Sequence, residues 1–172
     1  MKRFWAFGLI MVLLCLPVTP SLANEQKTPP TITSISTLKY SAWMSEPPDQ
    51  LTCDRVTLYA DGTLTVQELQ LYDKEGTAYT ADAMPVIRDS TAAVETAEFD
   101  KLVSTLRETK LEECPEYLET GVCDGWFAWI TLTYENGESY TTGGVVADSE
   151  GPEVFVDAWN AIKNIVKSAN LS

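Results

Sequence analysis

Apolar positions along this chain change period several times, and each change marks an element. An unbroken apolar run from Phe4 to Val18 follows Lys2 and Arg3 and gives way to Ser21-Leu22-Ala23. A short positive segment, an apolar stretch and small residues at a cleavage point form the layout of a secretory signal peptide. The run is shorter than the roughly 20 residues a bilayer-spanning helix needs. Residues 1–23 are therefore expected to be removed after Ala23, leaving an exported protein, secreted or periplasmic, with no membrane anchor after cleavage. Residues 24–31 lack large apolar side chains and carry Pro29 and Pro30, the composition of a flexible leader. A single domain is expected over residues 32–172.

Within that domain, alternation through Ile32, Ser34, Ser36, Leu38, Tyr40 and Ala42, with Ile35 on the other face, predicts a strand from Ile32 to Trp43. Glu46-Pro47-Pro48-Asp49 breaks it. Val56, Leu58 and Ala60 alternate with Thr57 and Tyr59, and Asp61-Gly62 then supplies a tight turn before Leu64, Val66, Leu69 and Leu71. Asp-Gly between alternating runs predicts a hairpin, because glycine reaches the positive φ the turn needs. The phase slips between Val66 and Leu69, which predicts a bulge or broken strand near Glu68. Lys74-Glu75-Gly76 marks another turn. Residues 77–88 read as a weaker edge strand interrupted by Pro85.

The period then changes to that of a helix. Phe99, Leu102, Val103 and Leu106 form one stripe in a helix starting near Thr96, with Thr96 predicted to cap its first amides and Glu98 in its positive first turn. Trp126 to Tyr134 is the strongest strand, rich in aromatic and β-branched residues. Asn136-Gly137 turns it back through Glu138 to Val146, and Gly143-Gly144 suggests a bulge or strand end. A last helix runs from Pro152 to Ser168, with Phe155, Trp159, Ile162 and Val166 on one face. Strands, helix, hairpin and helix in that order predict an α+β domain. Its sheet is mainly antiparallel and built from hairpins, with the two amphipathic helices packed on one face.

Charge and composition narrow the partners. The net charge is −13, which repels nucleic-acid backbones and anionic membrane surfaces and is adequately explained by solubility. The chain contains no histidine, which removes Ser-His-Asp and Cys-His catalysis, His-bearing zinc sites and a histidine pH switch. No motif requires a cofactor. Cys15 lies in the apolar run behind Leu14, where a lipid-modified cysteine would want a small residue, so plain secretion is favoured over a lipid anchor. Export makes a disulfide the expectation. Cys114 and Cys123 bracket a turn-forming loop and are the favoured pair, with Cys53 buried as a small hydrophobe or available to another molecule.

Candidate chemistry is sparse. Glu112, Glu113, Glu116, Glu119 and Asp124 could hold calcium, but their spacing matches no EF-hand and a solvated acidic face explains them. Trp126 and Trp129 have opposite strand parity, so one must turn away from the core. That outward tryptophan, with Trp43 beside it, is the candidate binding surface. Paired carboxylates acting on a glycan stacked on such a tryptophan would make a hydrolase.

Three stretches carry a resemblance: Val-Thr-Leu-Tyr-Ala-Asp-Gly-Thr-Leu at 56–64, Ala-Glu-Phe-Asp-Lys-Leu-Val-Ser-Thr-Leu at 97–106, and Asp-Gly-Trp-Phe-Ala-Trp-Ile-Thr-Leu-Thr-Tyr-Glu-Asn-Gly at 124–137. Over residues 54–168 the chain resembles small secreted ββαββα modules, among them the emfourin-type metalloprotease inhibitors. The resemblance implies that order of elements and, by analogy of fold, protease inhibition. Residues 68–94 and the cysteine loop depart from the emfourin layout, and no functional residue is carried over. The leading expectation is a non-enzymatic module binding a protein or cell-envelope component. A carboxylate-based glycan hydrolase and an extracellular protease inhibitor are the alternatives.

Overall fold

The computed structural model describes residues 29–41, 47–119, 125–146 and 151–169. The expected signal peptide, most of the leader, Trp43, Cys123 and Asp124 lie outside the described residues. The fold is α+β. Among the described residues seven strands, β1 (Ile32–Ser41), β2 (Thr52–Tyr59), β3 (Thr63–Gln70), β4 (Val86–Ala93), β5 (Tyr117–Glu119), β6 (Trp126–Tyr134) and β7 (Ser139–Val146), join one mixed sheet in the order β4-β3-β2-β1-β6-β7-β5. All pairings are antiparallel except β5 with β7, which is parallel. The α-helices among the described residues are α1 (Thr96–Glu108) and α2 (Glu153–Ser168).

Strand parity divides the sheet into two differently used faces. Ile35, Leu58, Leu64, Ile130 and Leu132 gather into one core with Phe99, Leu102 and Leu106 of α1 and Phe155, Ala158 and Ile162 of α2. Each buried leucine or isoleucine there contributes about 1.5–3 kcal/mol by leaving water. The opposite face has a smaller core, Cys53, Leu69 and Leu71, packed by Leu38, Tyr40, Leu51, Tyr72 and Met84. Among the described residues no helix covers that face; part of it is covered by the long connection between β3 and β4.

This division explains the phase slip in β3. Leu64 packs in the helix-side core, and Val66 shares its parity and pairs with Val56 of that core, whereas Leu69 packs in the other core, so the apolar pattern changes face rather than breaking the strand. Pairing with β2 stays continuous through the slip, and the register shift at Glu68/Leu69 is confined to the β4 side.

Three local expectations are corrected. The edge strand is β4, which begins after Pro85; residues 77–85 form turns with an isolated bridge between Tyr72 and Ala78. Proline, lacking an N–H, starts the strand instead of interrupting it. Thr96 is the first helical residue and not the cap, a position held by Glu95 without a side-chain hydrogen bond. Gly143 and Gly144 make neither bulge nor strand end: they lie inside β7 in continuous register with β6. Their role is close approach. A Cβ on Gly143 would come within 2.2 Å of the Ala128 carbonyl oxygen, and one on Gly144 within 2.5 Å of the Leu118 carbonyl oxygen. The second of these contacts is what lets β5 dock on β7.

Candidate binding groove on the helix-free face

A groove of about 710 Å³ runs over the helix-free face, within the size range of small-ligand sites. Its floor comes from alternate residues of β2, β1, β6 and β7, and its wall from the connection between β3 and β4, including Tyr72, Tyr79, Asp82 and Met84. That wall is tied down at several points. Arg55 Nη2 donates to the Ala81 carbonyl at 2.6 Å, Leu71 N–H to Leu51, Tyr79 N–H to Leu71, and the Cys53 thiol lies 3.6 Å from Met84 Sδ.

The register gives the floor its chemistry. Thr91 of β4 is paired with Thr65 of β3, Thr65 with Thr57 of β2, Thr57 with Ser36 of β1, Ser36 with Thr131 of β6, and Thr131 with Thr141 of β7. Six hydroxyl residues thus form one row straight across six strands, at the strand spacing of about 4.8 Å. Tyr59, Ser34, Thr133 and Ser139 make a parallel row on one side. Arg55, Leu38, Trp129 and Gly143 make the row on the other. Within the main row, Thr57 Oγ1 donates to Ser36 Oγ at 3.2 Å, and the Thr131 and Thr141 hydroxyls are 3.0 Å apart. A hydroxyl has one donor and two acceptor sites, so each such pair retains capacity for a ligand.

The aromatic side of the groove is equally ordered. Trp129 stacks with Phe127 at 5.7 Å between ring centroids and with Tyr40 at 5.8 Å, all three rings lying within 20° of parallel. Gly143 opposite Trp129 is what makes room, since its Cβ would lie 2.7 Å from the indole Cδ1. Burial pushes the Tyr40 phenol up to about 12, so it remains a neutral group at physiological pH. Among the described residues, Arg55 and Asp82 are the charged ones lining the groove, and the Arg55 guanidinium is engaged with the wall.

The tryptophan expectation divides on this geometry. Trp126 and Trp129 do lie on opposite faces, but only Trp129 enters the groove. Trp126 shares the helix side with Ala128, is 40% exposed, and has Lys39 Nζ 4.2 Å from its ring centroid. The recess beside Trp126 and Trp159 measures about 20 Å³, room for little more than one water. The structure therefore does not bring Trp126 and Trp129 together, and Trp43 lies outside the described residues. The hydroxyl rows were missed by sequence reasoning, although their signal is present as the polar members of alternating strands: Ser34 and Ser36, Thr57, Thr131 and Thr133.

Other candidates are accounted for locally. Glu112 accepts a hydrogen bond from the Tyr134 hydroxyl, and Glu113 pairs with Lys110 at 3.1 Å. Among the described residues no three His, Cys, Asp or Glu side chains converge as a metal site, and no helix is long and apolar enough to cross a membrane. Cys53 and Cys114 form no disulfide among the described residues; the expected partner Cys123 lies outside them. No protein-family model matches the chain, and a search of curated proteins finds no similar sequence.

Proposed function

We propose that this chain is an exported, non-enzymatic binding module, a single α+β domain of hairpins and two helices whose ligand, a protein or cell-envelope component, occupies the helix-free groove. The observation that carries this reading is the hydroxyl row running beside Trp129 in a walled groove of about 710 Å³. A sheet face that served only as scaffold would gain stability from apolar packing; this one keeps the partly exposed hydroxyls of Ser36, Thr131 and Thr141, with the more buried Thr57, next to an aromatic triad. Hydrolysis of a glycan by two facing carboxylates has no comparable support: among the described residues the groove lining holds one carboxylate, Asp82.

The test is retention of the processed protein, residues 24–172, by cell-envelope fractions and by the secretome of the producing cell. Binding that disappears in Trp129→Ala and persists in Trp126→Ala supports the groove. Equal retention of both variants, or none by the native protein, removes it.

A further inference from the structure

We infer that the groove takes a neutral, linear oligosaccharide laid across the strands, its hydroxyls bonded to the Thr57–Ser36–Thr131–Thr141 row and one sugar ring set against Trp129. This rests on the groove being the binding site and names the ligand class. The lining chemistry matches such a ligand. Hydroxyls both donate and accept, as sugar hydroxyls do, and successive rings of a linear glycan repeat on the same length scale as successive strands, about 4.8 Å apart. A row across the strands therefore offers each ring a comparable set of partners, and Thr65 and Thr91 continue it beyond the groove toward the sheet edge.

Two other ligand classes fit less well. Anionic ligands would want a cationic floor. Among the described residues the lining has one cation, Arg55, already donating to the Ala81 carbonyl, in a chain of net charge −13. A folded protein partner would want clustered large apolar anchors. Among the described residues the exposed large apolar ones lie apart from one another: Val86 and Ile87 on edge strand β4, Tyr117 on β5, Trp126 on the helix side, and Tyr59 in the groove. The aromatic surface that does enter the groove belongs to Trp129 and the tyrosines of the walls, which suits the apolar face of a sugar ring with polar groups at its rim.

The experiment is an array of neutral linear oligosaccharides (α- and β-linked glucans, mannans, galactans and N-acetylglucosamine oligomers) with acidic glycans alongside, followed by calorimetry on any that bind. The expected result is binding of at least one neutral class, weakened about tenfold or more by Trp129→Ala. The isosteric Thr131→Val, which keeps the strand packing, should weaken it similarly, whereas Trp126→Ala should leave it unchanged. Because no charge pairing is involved, affinity should be equal at low and high salt. Binding of acidic glycans alone, with affinity falling as salt rises, overturns the inference. So does retention of a polypeptide lost in Trp129→Ala with no neutral glycan bound; in that case the groove stands and only the sugar falls. If neither sugar nor any other component shows Trp129-dependent binding, the groove reading falls with it.

Discussion

At the scale of single residues, the two described cysteines occupy unlike surroundings and should behave differently. Cys53 is 2% exposed, packs in the smaller core with Leu69 and Leu71, and lies 3.6 Å from Met84 Sδ. Burial pushes its thiol up to about 11, so little thiolate forms near neutrality, and thiolate is the reactive species. Cys114 is half-buried beside Tyr140, whose hydroxyl donates to the Cys114 carbonyl at 2.6 Å. The prediction is that Cys53 resists iodoacetamide in the native protein and reacts once the protein is denatured, while non-reducing peptide mapping recovers Cys114 joined to Cys123. Rapid labelling of native Cys53, or Cys53 recovered in a bridge, would contradict this. The tryptophans show how far single residues could be read in advance. The opposite parity of Trp126 and Trp129 follows from strand period alone. Which of them meets a groove depends on where α2 ends its coverage and where the residue 71–85 connection folds back, and neither is encoded in the strand itself.

At the scale of elements, the two tight turns were legible because their chemistry is local, and they are not equivalent once folded. Gly62 and Gly137 have φ of +85° and +82°, conformations that cost any other residue about 1–2 kcal/mol. Around Gly137 nothing lies within 4 Å of an added Cβ, whereas at Gly62 the Cβ would come 2.3 Å from the Val94 carbonyl oxygen. Val94 N–H also donates to the Gly62 carbonyl at 2.8 Å, tying the turn to the start of α1. Gly137→Ala should therefore cost about 1 kcal/mol, and Gly62→Ala a further 1–3 kcal/mol or so, because backbone atoms must shift. Urea unfolding of both variants measures the difference, and equal midpoints would show that the Val94 contact yields without cost. Beside the turn, Asp61 accepts the Thr63 N–H at 2.8 Å, which holds its carboxyl below the usual range. The elements that escaped sequence reading are those defined by distant partners. β5 has three residues and exists only through its parallel pairing with β7. The start of β4 is set by pairing with β3 more than by its own weak alternation, and the hydroxyl row belongs to six strands at once, so no one segment announces it.

At the scale of the whole molecule, both faces of the sheet hold phenols and thiols whose protonated form the fold favours, and this gives the protein an alkaline limit. Tyr40 on the groove side is raised to about 12 by burial and by its neighbours Tyr72 and Cys53. On the helix side, Tyr134 is raised by burial and by its hydrogen bond to Glu112, and Tyr140 is raised chiefly by burial, its one hydroxyl proton within reach of both the Cys114 and the Leu111 carbonyls. The direction of the linkage follows from proton counting. Below the ordinary phenol value near 10 both folded and unfolded chains keep these protons, and stability does not depend on them. Above it the unfolded chain releases them while the folded chain holds them, so the native state binds more protons and stability falls as pH rises. Cys53 begins the same loss from its ordinary value near 9 toward about 11. The melting temperature should thus be insensitive to these groups up to about pH 9 and decline steadily between about 9 and 12. Over that interval Tyr40, Tyr134 and Tyr140 should ionise only with the loss of near-ultraviolet circular dichroism. Tyr134→Phe should lower stability at neutral pH, by removing the Glu112 bond, and flatten the alkaline decline. A single titration of all seven tyrosines near pH 10 with the fold intact would mean that these phenols are not held by the sheet as described.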